Sequence, residues 1–163
     1  MPTRGVIYVH SSPPAVCPHV EWAVSRVLDY EVELEWTTQR AAPSMWRADC
    51  PWAGAPGTAA TIATALQQWS MLRFEVTEDP SPGVDGERIM FVPGRGVYRA
   101  ATSANGDLMI AEDRIRALLA TTPDSENLRH GLDSLLGAPW DDELEPYRFS
   151  GDDGAQNWLS QVS

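Results

Sequence analysis

Between residues 4 and 77 the apolar side chains switch repeatedly between a spacing of two and a helical spacing, and this most narrows what the chain can fold into. Residues 4–10 (RGVIYVH) are β-branched and aromatic and end at Ser11-Ser12-Pro13-Pro14, so they read as a strand. Val20, Ala23, Val24, Val27 and Leu28 then fall on one helical stripe. Pro18 is tolerated only in the first turn, which places the helix start near Val16 or Cys17. Glu31 to Trp36 (EVELEW) alternates strictly, with Val32, Leu34 and Trp36 to one side and three glutamates to the other; the pattern predicts a half-buried strand. Met45 to Trp52 alternates again, placing Trp46, Ala48, Cys50 and Trp52 on one face. Thr58 to Trp69 carries a helical stripe of Ala59, Ile62, Leu66 and Trp69, and Leu72 to Thr77 a strand with Phe74 and Val76 inward.

The order β-α-β-β-α-β predicts an α+β fold: a ferredoxin-like, antiparallel split-βαβ core over residues 1–80, with both helices on one face. Residues 81–163 extend it within the same single domain. After the Asp79–Gly86 linker come strands at 87–92 and 97–102 around the Pro93–Gly96 turn. Asn105-Gly106 then signals a hairpin to a short strand at 108–110. Helices follow at 111–119 and 124–136, the second closed by Gly137. Asp141 to Glu145 (DDELE) reads as a solvated acidic segment, with Trp158 and Leu159 near the end.

The net charge of −11 disfavours phosphate backbones and anionic lipid alike, so nucleic-acid and membrane partners are not expected. Every basic side chain is Arg. Without lysine there is no Schiff base for pyridoxal phosphate, no P-loop lysine and no biotin or lipoyl attachment point. The Gly5–Val9 apolar run is too short for a signal peptide, and no stretch reaches membrane-span length. The two cysteines, Cys17 and Cys50, therefore read as reduced thiols in a cytoplasmic protein.

Chemistry concentrates in His10 to Trp22 (HSSPPAVCPHVEW), which joins the first strand to the first helix. Cys17 sits at a helix start, where free N–H groups favour a thiolate, and His10 or His19 would be its base. Against that stands the high burial of ordinary free cysteines and the lack of an orienting third residue. His10, Cys17 and His19 match no paired zinc spacing, so neither metal nor cofactor is expected. In the expected register Cys50 lies opposite about residue 5, roughly 15 Å from the His10 end. That excludes it as a fourth ligand and as a disulfide partner of Cys17. Gly94-Arg95-Gly96 precedes a strand and reads as a turn, not a phosphate loop; DDELE lacks the spacing of a calcium loop.

Trp36, Trp46 and Trp69 fall on core-facing positions. Trp22 falls opposite the core stripe, beside Arg26. An outward indole there calls for a cover: the C-terminal segment, a second subunit or another protein.

The segments GVIYVHSSPPAVCPHVEWAV, MWRADCPW, WSMLRFEVTEDPSPG, GERIMFVPGRGVY and NGDLMIAEDRIRALL resemble the actinobacterial DUF3145 family over about the first 120 residues. The resemblance implies a cytoplasmic setting and a link to fatty-acid and lipid synthesis, and carries over no catalytic residue or cofactor. The leading expectation is a non-catalytic interaction or regulatory protein, contacting another protein or itself through Trp22 and Arg26. The alternatives are a small enzyme built on Cys17 with His10 or His19, and a small-ligand sensor, which rests on fold analogy.

Overall fold

Seven strands form one antiparallel sheet in a computed structural model that describes residues 2–148. In chain order the elements are β1 (Thr3–Ser12), α1 (Cys17–Leu28), β2 (Thr37–Thr38), β3 (Trp46–Gly54), α2 (Thr58–Leu66) and β4 (Arg73–Glu78). There follow β5 (Gly86–Val92), β6 (Gly96–Thr102), β7 (Leu108–Met109), α3 (Glu112–Thr121), α4 (Ser125–Leu135) and α5 (Ala138–Arg148). The strand order is β2-β3-β1-β4-β5-β6-β7. The fold is mixed α+β, and no pairing among the first four strands conflicts with a split arrangement.

Alternation along the strands divides the sheet into two faces. Ile7, Val9, Phe74, Val76, Ile89 and Phe91 point to the first, where they pack with Val20, Ala23 and Val24 of α1 and with Ala59, Ile62, Ala63 and Leu66 of α2. Both N-terminal helices thus share one face. The phenyl rings of Phe74 and Phe91, paired across β4 and β5, stack with centroids 5.1 Å apart. Met90, Val92, Tyr98 and Ala100 point to the second face and are closed over by Leu144 of α5. Gly5 is fixed by close approach: a Cβ there would lie 1.8 Å from the Thr77 carbonyl oxygen of β4.

Helix α2 has no capping side chain at Gly57. Glu78 of β4 supplies the anion instead, accepting from the Gly57 and Ala59 amides at 3.0 and 3.1 Å. Helix α1 closes at Asp29, whose left-handed backbone (φ 61) lets its N–H bond the Ser25 carbonyl.

Three sequence expectations need correction. Residues 31–36 are not a strand: their alternating burial holds, with Val32 and Leu34 in the core, but their amides bond to helix side chains. Val32 N–H donates to Ser25 Oγ at 2.9 Å, and Leu34 N–H to Glu21 Oε1 at 3.3 Å. Trp36 Nε1–H reaches the same Glu21 oxygen at 2.8 Å. The segment is therefore stapled along α1, and β2 begins only at Thr37. The acidic run 141–145 is not a solvated segment but the middle of α5. The β1–β3 register places Cys50 opposite Ile7, two positions from the expected partner. The expectations for Trp158 and Leu159 fall outside the described residues.

Candidate functional site

The second face of the sheet holds a buried ion cluster, assembled from four elements. His10 comes from the bulged end of β1, Glu75 from β4, Arg88 from β5, and Asp141 and Arg148 from α5. Asp141, Leu144 and Arg148 recur at helical spacing, so α5 presents an acid, an apolar residue and a base along one stripe. His10, Glu75 and Arg148 are all buried.

Glu75 is the hub. His10 Nε2 lies 2.5 Å from Glu75 Oε2, and since a carboxylate only accepts, Nε2 carries the proton. Arg148 donates through Nε to Oε2 at 2.9 Å and through Nη2 to Oε1. Arg88 Nη2 reaches Oε1 at 3.3 Å, and Asp141 Oδ1 accepts from Arg88 and Arg148 at 3.0 and 2.9 Å. Burial alone would push the Glu75 carboxyl up. The bonds and charges of His10 and Arg148 outweigh it and hold the carboxyl well below the usual carboxylate range. Burial works against the Arg148 cation too, but Glu75 and Asp141 more than offset it and raise its affinity for the proton. Gln39 ties the cluster's surroundings together, its Nε2 donating to the His10 carbonyl at 2.7 Å and the Tyr147 carbonyl at 3.1 Å.

The arrangement pairs a buried carboxylate with three neighbouring donors, His10, Arg88 and Arg148. Both Glu75 oxygens are taken, and among the described residues the buried His10 Nδ1 has no hydrogen-bond partner. A cleft of about 510 Å³ among the described residues lies elsewhere, lined by Gly57, Glu78, Asp85, Glu87 and Arg99 among others, with no cysteine or histidine in its lining.

The three residues of the thiol reading are not brought together. Cys17 is buried at the start of α1, its thiol donating to the Pro13 carbonyl at 3.5 Å and to Ser12 Oγ at 3.6 Å. Burial pushes that thiol up, away from thiolate character. His19 is exposed and its ring leans on Trp69 with centroids 6.0 Å apart, while His10 belongs to the other side of the sheet. Among the described residues no group of three His, Cys, Asp or Glu side chains is placed to hold a metal ion. No described helix is long and apolar enough to cross a membrane. Trp22 and Arg26 do sit together on the outer face of α1. Trp22 is 54% exposed, and the Arg26 guanidinium lies 4.9 Å from its ring centroid.

A family model described as "Protein of unknown function (DUF3145)" matches residues 6–161. The chain belongs to the DUF3145 family. No curated protein and no solved structure matches it. In this DUF3145 chain the matched range runs from within β1 to beyond the end of α5, so it takes in the whole ion cluster.

Sequence reasoning named one member of that cluster, His10, and missed Glu75, Arg88, Asp141 and Arg148. Glu75 and Arg88 occupy the non-core positions of β4 and β5, which pattern alone assigns to solvent. The signal that would have found them is the 141–144–148 spacing, an amphipathic stripe hidden by the acidic run and by Pro146.

Proposed function

We propose that this DUF3145 chain is a non-catalytic protein-interaction module that engages a partner protein, or a second copy of itself, through the α3–α4 hairpin. The observation that carries the reading is that neither α3 nor α4 contains a buried residue. Leu119 is 57% exposed, and Leu132, Leu136 and the preceding Met109 are exposed with it. The two helices are held to each other at close range, since a Cβ on Gly131 would meet Leu118 Cδ1 at 2.4 Å. A hairpin that adds no core yet displays leucines along its length is a contact surface in search of a complement. Trp22 with Arg26 offers a second point of contact, of the residue types that dominate interface energies. Cys17, buried against Pro13, and His10, paired with Glu75, are not brought together as nucleophile and base.

The test compares wild type with a Leu119→Glu, Leu132→Glu chain in pull-downs from the native host and in sedimentation. Capture or self-association should fall tenfold or more in the variant, about 1.4 kcal/mol, with the melting temperature unchanged. Equal capture together with equal sedimentation would defeat the proposal.

A further inference from the structure

Residues 31–36 run along α1 without joining the sheet. Val32 N–H bonds Ser25 and Leu34 N–H bonds Glu21, so two residues of the segment match four of the helix. Two extended residues span about 6.6 Å and four helical residues rise about 6 Å, so segment and helix lie side by side in opposite directions. Backbone groups of an extended chain alternate in direction. With the Val32 and Leu34 amides turned to α1, those of Glu33 and Glu35 point away from it, and neither takes a hydrogen bond among the described residues. Side chains alternate as well. Val32 and Leu34 enter the core, while Glu31, Glu33 and Glu35 are exposed in a row, about 6.6 Å from one to the next. Exposed Asp29 extends the row, and none of these four carboxylates joins an ion pair among the described residues. Beside the row stand two exposed aromatics, Trp22 at 54% and Tyr30 at 49%.

We propose that this edge receives an extended segment of another protein that carries arginine or lysine at alternate positions. The unpaired Glu33 and Glu35 backbone supplies the main-chain half of a strand addition, and the row of glutamates supplies the selectivity. Opposite charges facing across two strands attract, and like charges repel. That sign disfavours a second copy paired edge to edge, which would set glutamate against glutamate between chains that each carry a net charge of −11. Trp22 follows Glu21 in α1 and so stands at about the level of Glu33, where its ring is within reach of an incoming cation. Arg26 already lies 4.9 Å from that ring, which shows that the indole accepts a guanidinium, and the carboxylates outnumber it. The proposal takes the chain for a binding module, as above, but uses no residue of α3 or α4.

The experiment titrates the full chain with two synthetic peptides of identical composition, Arg-Val-Arg-Val-Arg-Val-Arg and the same residues with the four arginines in one block. Salt is held at about 0.15 M, where distant charges are screened. The alternating peptide should bind about tenfold tighter than the block peptide, shift the NMR signals of residues 29–35 and of the Trp22 indole, and slow hydrogen exchange at the Glu33 and Glu35 amides. Glu31→Gln, Glu33→Gln and Glu35→Gln together should weaken it about tenfold or more. Asp133→Asn, Asp142→Asn and Glu145→Gln, which remove the same charge from α4 and α5, should leave it nearly unchanged. Equal affinity for the two peptides, equal losses in the two triple variants, shifts centred elsewhere, or no binding of the alternating peptide would overturn the proposal. The Leu119→Glu, Leu132→Glu chain separates this site from the hairpin reading. It should bind the alternating peptide as wild type does even where its partner capture falls, and loss of the peptide in that chain would move the site to the hairpin and overturn this one.

Discussion

Arg148 and Glu75, 73 residues apart in sequence, form a two-pronged ion pair in which both partners are buried. Each is desolvated, so each depends on the other. Removing one partner strands a charge in the interior, which typically costs about 3–5 kcal/mol, whereas exchanging the pair for apolar residues of similar volume can be neutral. Glu75→Leu alone and Arg148→Met alone should each destabilise by about that amount. The double substitution should recover much of it, although His10 and Arg88 also lose their acceptor. A double-mutant cycle in urea denaturation reads the coupling; additive losses would show that the pair is not a unit.

The same pair sets an acid dependence. The folded-state pKa of Glu75 is depressed below its unfolded value, so its stabilisation is present in full above the unfolded pKa, near 4.3, and is lost as pH falls toward the folded value. Wild type should therefore lose stability steadily from about pH 5 downward. Glu75→Gln cannot lose what it does not have. Its stability should start lower at pH 7 and fall less between pH 5 and pH 3, as measured by denaturant titration. A parallel fall in both proteins would remove Glu75 from the acid response.

The sequence disclosed the first face of the sheet and concealed the second. Helical stripes and strand alternation both report burial against one apolar core, so Val24, Ile62, Phe74 and Val76 were readable by period alone. Alternation does not distinguish a strand from an extended segment bonded to a helix. Residues 31–36 obey the same pattern, yet Glu21 and Ser25 take their amides, and no propensity scale registers a glutamate fifteen residues away. The ion cluster was hidden for a different reason. Charged residues at alternate strand positions look solvent-facing unless the helix that neutralises them is recognised, and the acid-rich first turns of α5 disguised its stripe. His10 was visible only as a histidine in a loop-rich region; its partner Glu75 is 65 residues away and lies in a strand of ordinary appearance.

Cys17 should behave as a structural thiol. Its neutral form donates to Pro13 and Ser12, and burial raises its pKa. Iodoacetamide at neutral pH should label it far more slowly than free cysteine, with full labelling only after unfolding, as read by mass spectrometry. Cys17→Ser should be mild, within about 1–3 kcal/mol, because the Pro13 carbonyl is in place to accept a hydroxyl proton. Rapid labelling of the folded chain would reinstate a nucleophilic role.

Trp22 provides the sharpest separation between folding and association. Val20, Ala23 and Val24 are buried and complete the core stripe of α1 without it, while the indole stands out with Arg26 over its face. Truncating an exposed side chain removes little from the folded state, so Trp22→Ala should change unfolding free energy by no more than about 1 kcal/mol, most of it the cation–π contact. If the α1 face takes part in partner binding, the same substitution should weaken association by about 2 kcal/mol or more, roughly thirtyfold in Kd. The control is Arg26→Gln, which keeps the indole and removes the cation, and should weaken association by less. Titration calorimetry with the captured partner, or sedimentation equilibrium for a self-associating chain, measures both. A Trp22→Ala chain that binds normally but melts far lower would make Trp22 a packing residue and leave the proposed contact to the α3–α4 hairpin.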